Sequence, residues 1–173
     1  MKRILILGSA GSGKSTLAKW LGEMLNVEVI HLDSYFWNPG WMETPKDEWK
    51  VKLSQLLEKD NWVMDGNWAD SLEERFSFAD TVVFIDLPRV ICLWRVIKRY
   101  FKYRNQTRPD MGDHCNEKID FGFLKWIWNY PNNIKPIIID EILKNKEKTT
   151  SIILKSKKDV EKFQKTIVVR VIS

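Results

Sequence analysis

One short segment of the chain has the residue types and the spacing of a phosphate-binding loop. It fits the pattern G-x-x-x-x-G-K-S/T in full and consists of Gly8, Ser9, Ala10, Gly11, Ser12, Gly13, Lys14, Ser15 and Thr16. Because its glycines have no Cβ, the backbone can curl tightly and point its N–H groups at phosphate oxygens. Lys14 is expected to reach the β- and γ-phosphates, and the Ser15 hydroxyl is expected to hold a Mg²⁺ ion. The segment therefore predicts the binding of a triphosphate.

The residues on either side of this phosphate loop fit a strand that is followed by a helix. The apolar run at 4–7 is typical of a buried strand, and apolar residues at helical spacing predict a helix over about 14–25. A helix that begins at the loop adds the positive end of its dipole to the phosphate site. The alternative is a Gly/Ser turn that carries a lysine by chance, and the strand-then-helix context disfavours it.

Strands and helices alternate along the rest of the chain. The patterns predict further strands at 27–32, 62–64, 81–85 and 151–154, and helices at about 47–59, 88–103, 118–144 and 157–169. The long helical region is expected to bend or break near Pro131 and Pro136, and 34–45 is expected to be a structured loop. Such alternation predicts an α/β fold with a parallel sheet covered on both faces and an active site at the carboxyl ends of its strands.

Length and composition narrow the class of protein. A chain of 173 residues with 44% hydrophobic and 29% charged residues is typical of one globular domain, here 1–173. The apolar runs are too short to span a bilayer, so we expect a cytoplasmic protein with no membrane partner.

Cys92 and Cys115 lack C-x-x-C spacing, which argues against a zinc site or a disulfide, and we expect Cys92 in the core and Cys115 in a loop. The net charge of +5 suits nucleotide phosphates and does not by itself imply DNA.

Three aspartates follow predicted strands at the expected active edge. Asp33 is expected to face the γ-phosphate and accept the proton of an attacking hydroxyl, although it also fits a turn or helix cap. Asp65 has the position of a carboxylate that holds Mg²⁺ through water, and Gly66 after it leaves room for the backbone beside the phosphates. Asp86 is the rival for that role, but Pro88 makes it equally a cap for its own helix.

Arginines are concentrated in one part of the chain. Five of the eight fall between positions 89 and 108. Arg95 and Arg99 are four residues apart and so share a helix face, while Arg104 and Arg108 follow in a loop. Arginines gathered beside a phosphate loop could stabilise charge on a transferring phosphoryl group, and one could stack on an adenine. The alternative is a solvated basic helix face.

These motifs together resemble the adenylate-kinase-like branch of P-loop kinases. The likeness rests on the phosphate loop, on Asp65-Gly66 after the third strand, and on Asp86-Leu87-Pro88 followed by Arg95 and Arg99. It implies a three-layer α/β/α sandwich with a five-stranded parallel sheet in the order 2-3-1-4-5, and ATP and Mg²⁺ as cofactors. It also implies that Arg95 lies against the adenine and that Arg99, Arg104 and Arg108 close over the phosphates, the last two from a short lid at about 103–117.

A narrower resemblance covers nearly the whole chain. The chain resembles the bacterial proteins known as DNA topology modulation proteins. The segments that carry this resemblance are His31-Leu32-Asp33, Pro39-Gly40-Trp41, Trp62-Val63-Met64-Asp65-Gly66-Asn67, Ala79-Asp80 and Arg108-Pro109-Asp110-Met111. The family name describes a proposed role more than an activity, so the resemblance indicates the fold more firmly than the substrate.

The acceptor side, at about 34–60, departs from the adenylate kinase pattern. Residues 34–45 contain no arginine, and the stretch after Asp65 lacks the arginine that would clamp a monophosphate. The resemblance thus implies a kinase that phosphorylates a hydroxyl or phosphate of a nucleoside, nucleotide or other metabolite, and the departures favour a neutral hydroxyl compound. The residues expected to bind it are Asp33, Tyr35, Trp37, Trp41, Gly66 and Asn67.

The nine tryptophans raise the question of nucleic acid, because aromatic and basic residues together can stack exposed bases. Helical spacing predicts that Trp20, Trp49 and Trp94 lie in the core. Trp126 and Trp128 are expected to pack across the long helical region. The tryptophans that remain to line a substrate site are Trp37, Trp41 and Trp68. A nucleotide-dependent DNA-binding protein that uses the lysines of 144–165 remains the alternative, and an NTPase switch without an acceptor is a third. A monomer and a homodimer are both compatible with the sequence.

Overall fold

Seven strands and eight helices make up the computed structural model, which describes residues 1–112 and 114–172. Asp113, inside the expected lid, and Ser173 lie outside the described residues. The strands are β1 (Arg3–Gly8), β2 (Val29–His31), β3 (Trp37–Asn38), β4 (Met42–Glu43), β5 (Trp62–Asp65), β6 (Thr81–Ile85) and β7 (Thr150–Leu154). The helices are α1 (Lys14–Leu25), α2 (Leu32–Phe36), α3 (Lys46–Leu57), α4 (Leu72–Phe78), α5 (Arg89–Tyr103), α6 (Phe121–Asn133), α7 (Lys135–Lys144) and α8 (Lys157–Ile172).

Five of the strands form a parallel sheet in the order β2-β5-β1-β6-β7. Counted along the chain these are the second, third, first, fourth and fifth strands of the sheet, so the predicted order is confirmed. β1 lies in the centre and is buried on both faces, which explains its continuous apolar run. The parallel register places Asp65 of β5 beside Ile6 of β1 on one side and beside His31 of β2 on the other. The strand ends that carry the predicted acids therefore meet at one edge.

Helices cover both faces of this sheet, which confirms the predicted three-layer α/β fold. On one face, Leu5, Leu7 and Phe84 of the sheet belong to a core that includes residues of α3, α4, α6 and α7. On the other face, Ile4 and Ile6 belong to a core with residues of α1, α5 and α8. Alternate residues of β1 point to opposite layers because side chains alternate along a strand. The sheet is therefore held rigidly beneath the loops at its carboxyl edge.

Several elements differ from the sequence-based expectations. The segment expected to be a loop at 34–45 contains the end of α2 and a two-stranded antiparallel hairpin of β3 and β4. Helix α4 was not predicted, and its buried Leu72 and Phe76 are four residues apart on one face. Pro131 lies inside α6 and does not break it; the break falls at Ile134, and Pro136 lies in the first turn of α7, where a missing N–H costs nothing.

One prediction about burial needs correction. Trp94 is 60% exposed and is not part of the core, because it lies on the face of α5 opposite the fully buried Cys92 and Val96. Cys115 is in a loop, as expected, but is fully buried, and both cysteines are free. Trp49 is buried as expected, whereas Trp128 is 45% exposed. Among the described residues, the helices lack the combined length and apolar character that crossing a bilayer requires.

Candidate active site

A cleft of about 1560 Å³ lies at the carboxyl ends of the strands. The phosphate loop forms one side of it, and residues that follow β2 and β5 form another. Pockets that hold one small ligand have volumes of about 300–1,000 Å³. This cleft therefore has room for a nucleotide together with a second molecule.

The phosphate loop has the backbone conformation that its glycines were expected to allow. Gly11 and Gly13 have φ angles of 78° and 102°, which residues with a Cβ rarely adopt. A Cβ on Gly11 would lie only 2.3 Å from the carbonyl oxygen of Cys92 in α5. α1 begins directly after Gly13, at Lys14. The loop is thus packed tightly against α5, and the N-terminus of α1 points into the site.

Arg95 holds this loop from α5. Its Nη1 donates to the carbonyl oxygen of Ser12 at 3.1 Å and lies 3.5 Å from that of Gly11. The side chain also lines the cleft. The predicted contact of Arg95 with a base stays a prediction, but its guanidinium already positions two peptide groups of the loop.

Asp65 connects the phosphate loop to β2. Its Oδ2 accepts a hydrogen bond from the Ser15 hydroxyl at 2.7 Å, and its Oδ1 lies 2.6 Å from Nδ1 of His31. Asp86, the rival candidate, is paired instead with Lys135 of α7, whose Nζ lies 2.7 Å from its Oδ2. The geometry therefore favours Asp65 over Asp86 as the acid beside Ser15, the serine that is predicted to bind the metal.

His31 is a site residue that the sequence reasoning missed. Since a carboxylate can only accept a hydrogen bond, Nδ1 of His31 must carry the proton that it shares with Asp65. Burial alone would lower the pKa of His31, but the hydrogen bond and the negative charge of Asp65 outweigh it, and the pKa is raised. Its place at the end of β2, two residues before Asp33, was the available signal.

The donor atoms at this point suit Mg²⁺. The Ser15 hydroxyl and the Asp65 carboxylate are hard oxygen donors, and Mg²⁺ commonly takes one or two protein ligands and completes its shell with water and phosphate. Among the described residues, no group of three or more His, Cys, Asp or Glu side chains is arranged to hold a metal by itself. Within the part of the chain that the structure describes, the buried Ser12 hydroxyl has no hydrogen-bond partner, as expected where a ligand completes the site.

Asp33 lies in the first turn of the short helix α2 and not in the strand before it. It lines the cleft between the phosphate loop and the aromatic residues of the hairpin. Burial raises the pKa of Asp33; the positive charge of Lys14 lowers it, and the negative charge of Asp65 raises it further. A carboxyl whose pKa is raised is a better proton acceptor near neutral pH than an ordinary aspartate.

The raised pKa of Asp33 predicts a gain in stability when its charge is removed. The folded protein holds the proton of Asp33 more tightly than the unfolded chain, where the pKa is about 3.8. The ionisation of Asp33 therefore lowers the free energy of unfolding. This loss develops as the pH rises from below 3.8 through the raised pKa that Asp33 has in the folded protein. We expect Asp33→Asn to unfold at a higher denaturant concentration than the wild type at neutral pH, and the difference to shrink in acid. Asp60→Asn, at an exposed turn, is the control, and a lower midpoint for Asp33→Asn at neutral pH would contradict the assignment.

Arg99 and Arg108 are brought together by a buried acid, Glu117. The side chain of Glu117 is 2% exposed, and its two oxygens lie 2.8 Å from Nε of Arg99 and 2.6 Å from Nε of Arg108. Nη1 of Arg108 also donates to Asp110 at 2.9 Å. Burial and the nearby charge of Arg108 lower the pKa of Arg99, and Glu117 opposes that shift. The cluster joins the end of α5 to the predicted lid, and no sequence motif indicated Glu117.

Three predicted residues lie apart from this arrangement, and one of them, Gly66, is buried and is not among the described residues that line the cleft. Arg104 is exposed at the end of α5 and is not among the described residues that line the cleft, in contrast to Arg99 and Arg108. Tyr35 is 37% exposed and is likewise not among those lining residues. The structure therefore gives neither side chain the position that its predicted role requires.

The side of the cleft that is predicted to bind the acceptor has an aromatic wall. Trp37 and Trp41 line it as expected, with ring centroids 5.5 Å apart, and Trp68 lies 6.1 Å from Trp37. Nε1 of Trp41 donates to the carbonyl oxygen of Asn116 at 3.0 Å. The hairpin of β3 and β4 is thus connected to the predicted lid through a tryptophan.

The loop after β5 is held by a buried arginine. Arg75 is fully buried, and its guanidinium donates to the carbonyl oxygens of Gly66, Trp68 and Ser71. Burial lowers the pKa of Arg75 to about 10. Asn67 in the same loop lines the cleft and accepts from Tyr130 at 3.3 Å. The guanidinium of Arg75 therefore holds the backbone of this loop.

The fold and this site define the class of protein: a P-loop kinase-like α/β domain. The chain belongs to the AAA domain family, whose model matches residues 4–108. It is also 34% identical over 140 residues to the uncharacterized protein YqaC of Bacillus subtilis strain 168, a match that covers 76% of this chain and 74% of YqaC.

Solved kinase structures share the fold. A shikimate kinase from Acinetobacter baumannii in complex with shikimate superposes with a TM-score of 0.57 at 16% identity, covering 99% of this chain and 93% of the kinase. A gluconokinase from Sinorhizobium meliloti 1021 superposes with a TM-score of 0.54 at 12% identity, covering 99% of this chain and 91% of the kinase. At these identities the likeness shows the fold and does not identify the substrate.

Proposed function

We propose that this protein is an ATP-dependent kinase that transfers the γ-phosphoryl group to a hydroxyl of a small molecule. The main support for the proposal is that the groups needed for phosphoryl transfer lie at one cleft. It brings the phosphate loop, the Ser15–Asp65 contact and the carboxylate of Asp33 to one place. Phosphoryl transfer requires these groups: a cradle for the phosphates, a metal-binding pair and a group that accepts the hydroxyl proton.

The chemistry follows from the placement of the charged groups. The acceptor oxygen bonds to the γ-phosphorus as the bond from that phosphorus to the β–γ bridging oxygen breaks, and ADP leaves. Lys14, Arg99 and Arg108 line the cleft and supply positive charge to the transferring group. Ser15 and, through water, Asp65 would hold Mg²⁺, which neutralises charge between the β- and γ-phosphates. Asp33 takes the proton from the attacking hydroxyl.

The acceptor wall favours a neutral hydroxyl compound, such as a nucleoside or another small metabolite. The aromatic rings of Trp37, Trp41 and Trp68 offer apolar faces, and Asp33 lies beside them in the same cleft. Arg75 is turned toward backbone carbonyls, and residues 34–45 contain no arginine. Among the described residues, the two arginines whose charges act together with that of Asp33 are therefore already engaged, Arg75 by backbone carbonyls and Arg108 by Glu117 and Asp110.

A panel of metabolites screened for ADP release tests the proposal. The wild type is expected to phosphorylate at least one hydroxyl compound, and Asp33→Asn is expected to lower kcat for it by about 100-fold, the lower end of what a general base contributes. ATP binding should be unchanged in that variant, and Asp60→Asn should retain full activity. Undiminished phosphorylation by Asp33→Asn would remove the proposed role of this carboxylate.

Nucleotide-dependent DNA binding is the alternative that the narrower resemblance suggests. Its candidate surface is the lysine-rich region 144–165. In the structure, Nζ of Lys144 lies 2.8 Å from Asp140 and 2.9 Å from Glu141, and Lys157 pairs with Glu161 at 3.4 Å. Two of the eight lysines at 144–165 thus pair with neighbouring acids, which is typical of a solvated surface.

A further inference from the structure

The outer face of α5 is apolar, although it is exposed. Surface helices of globular proteins normally turn polar residues outward. On α5, however, the outward residues include Val90, Trp94, Ile97 and Phe101, which are 64%, 60%, 41% and 70% exposed. We refer to these four side chains as the α5 seam. The inward face of the same helix already packs against the core through Cys92 and Val96.

The spacing of the α5 seam matches that of a helix that pairs with another helix. Its members are separated by four, three and four residues, which are the steps between the a and d positions of a heptad repeat. This spacing keeps the four side chains in one line along the helix. Their exposure shows that the described part of the chain leaves that line uncovered.

We propose that the α5 seam packs against the same seam of a second copy of this chain and forms an isologous dimer. A symmetric dimer requires a patch that is complementary to itself, and a row of aliphatic and aromatic side chains at heptad spacing meets that requirement. The partner is thus another molecule of the same protein, and the interface lies on the side of α5 that faces away from the phosphate loop.

The charges beside the seam permit this pairing. In the same heptad, the flanking e and g positions are Ile91, Leu93, Lys98 and Tyr100. In a parallel pair the e position of one helix faces the g position of the other, so Lys98 meets Leu93; in an antiparallel pair centred on the seam e faces e, so Lys98 meets Ile91 and again not a second lysine. The Nζ of Lys98 also lies 5.2 Å from the ring centroid of Trp94 in its own chain. Like charges therefore do not oppose one another along the seam.

The seam is also large enough for a specific interface. A buried aromatic side chain contributes about 150–250 Å². Because Trp94 and Phe101 are 60% and 70% exposed, each has about 90–175 Å² left to bury, and two copies of the four seam side chains together with exposed neighbours such as Ile91 approach the roughly 1,000 Å² that a biological interface needs. The opposite face of α5 carries Arg95 and Arg99, so the dimer would hold the helix that supports the phosphate loop and the arginine cluster.

Analytical ultracentrifugation of the full chain tests the dimer. The wild type is expected to sediment with about twice the monomer mass of 20.5 kDa. Trp94→Glu combined with Ile97→Glu should reduce it to the monomer mass, since each dimer would bring four carboxylates into an apolar interface. Leu143→Glu, at a 61% exposed apolar position on α7, is the matched control and should remain dimeric.

Thermal unfolding separates loss of the dimer from loss of the fold. A much lower unfolding temperature than that of the wild type would show that Trp94→Glu with Ile97→Glu damages the fold itself. In that case Val90→Lys with Phe101→Lys repeats the test at the two most exposed members of the seam. A monomeric wild type, or a dimer that persists in both pairs of variants, would overturn the inference. Neither result would bear on the proposed kinase activity, because the seam lies outside the cleft.

Discussion

Lys14→Ala is expected to lower kcat for phosphoryl transfer by about 1,000-fold or more. A cation placed on the transferring phosphoryl group is worth roughly 10³–10⁵ in rate in related phosphoryl transfers. Lys14 begins α1 at the end of the phosphate loop, and its Nζ lies 3.5 Å from the carbonyl oxygen of Ser9. This contact is long, so the ammonium group is free to move onto a phosphate without the loss of a strong internal bond.

The measurement is single-turnover transfer from ATP to an acceptor identified in the metabolite screen. Lys52→Ala is the control, because Lys52 pairs with Glu48 on the surface of α3 and should leave kcat unchanged. Lys14→Arg keeps the positive charge but replaces the compact ammonium group with a planar guanidinium group, so its rate of phosphoryl transfer should be only partly restored relative to Lys14→Ala. Full activity in Lys14→Ala would exclude the proposed role of the loop lysine.

Glu117→Ala is expected to destabilise the fold by about 3–5 kcal/mol. Removal of one partner from a buried ion pair leaves an uncompensated charge, and such changes typically cost about that much. Here one carboxylate serves two arginines, Arg99 and Arg108, at 2.8 and 2.6 Å. Its loss would leave two positive charges facing one another, and Arg108 would retain only Asp110.

Denaturant unfolding measures this effect. Glu28→Ala is the matched control, since Glu28 pairs with Lys59 at 2.8 Å where both side chains are well exposed; it should cost less than about 1 kcal/mol. If Glu117→Ala were no more destabilising than Glu28→Ala, the cluster would not hold the predicted lid to α5. Inorganic phosphate should recover part of the stability of Glu117→Ala, because it can bind between the two arginines in place of the carboxylate.

The sequence determined much of the scaffold. The phosphate loop, the helix from Lys14 to Leu25 and the strand from Thr81 to Ile85 were predicted with their observed limits, and the strand order was correct. The loop, the helix and the strand depend on local patterns of glycines and apolar residues, whereas the strand order was implied by the resemblance to adenylate-kinase-like P-loop kinases. The hairpin within 34–45 and helix α4 were missed, since they are short and are stabilised by packing against other elements.

Tertiary structure alone decided which charged groups meet. The sequence favoured Asp65 but left Asp86 open as its rival, and the structure bears on that choice through a contact between Asp65 and Ser15, which are 50 residues apart. Glu117 likewise contacts Arg99 across 18 residues without any motif to mark it. Periodicity also placed Trp94 in the core, because spacing shows which side chains share a helix face but not which face is covered. The sequence alone thus determined the phosphate loop and the sheet around it, while the arrangement of acids and arginines in the cleft required the folded chain, since contacts between distant residues leave no local pattern.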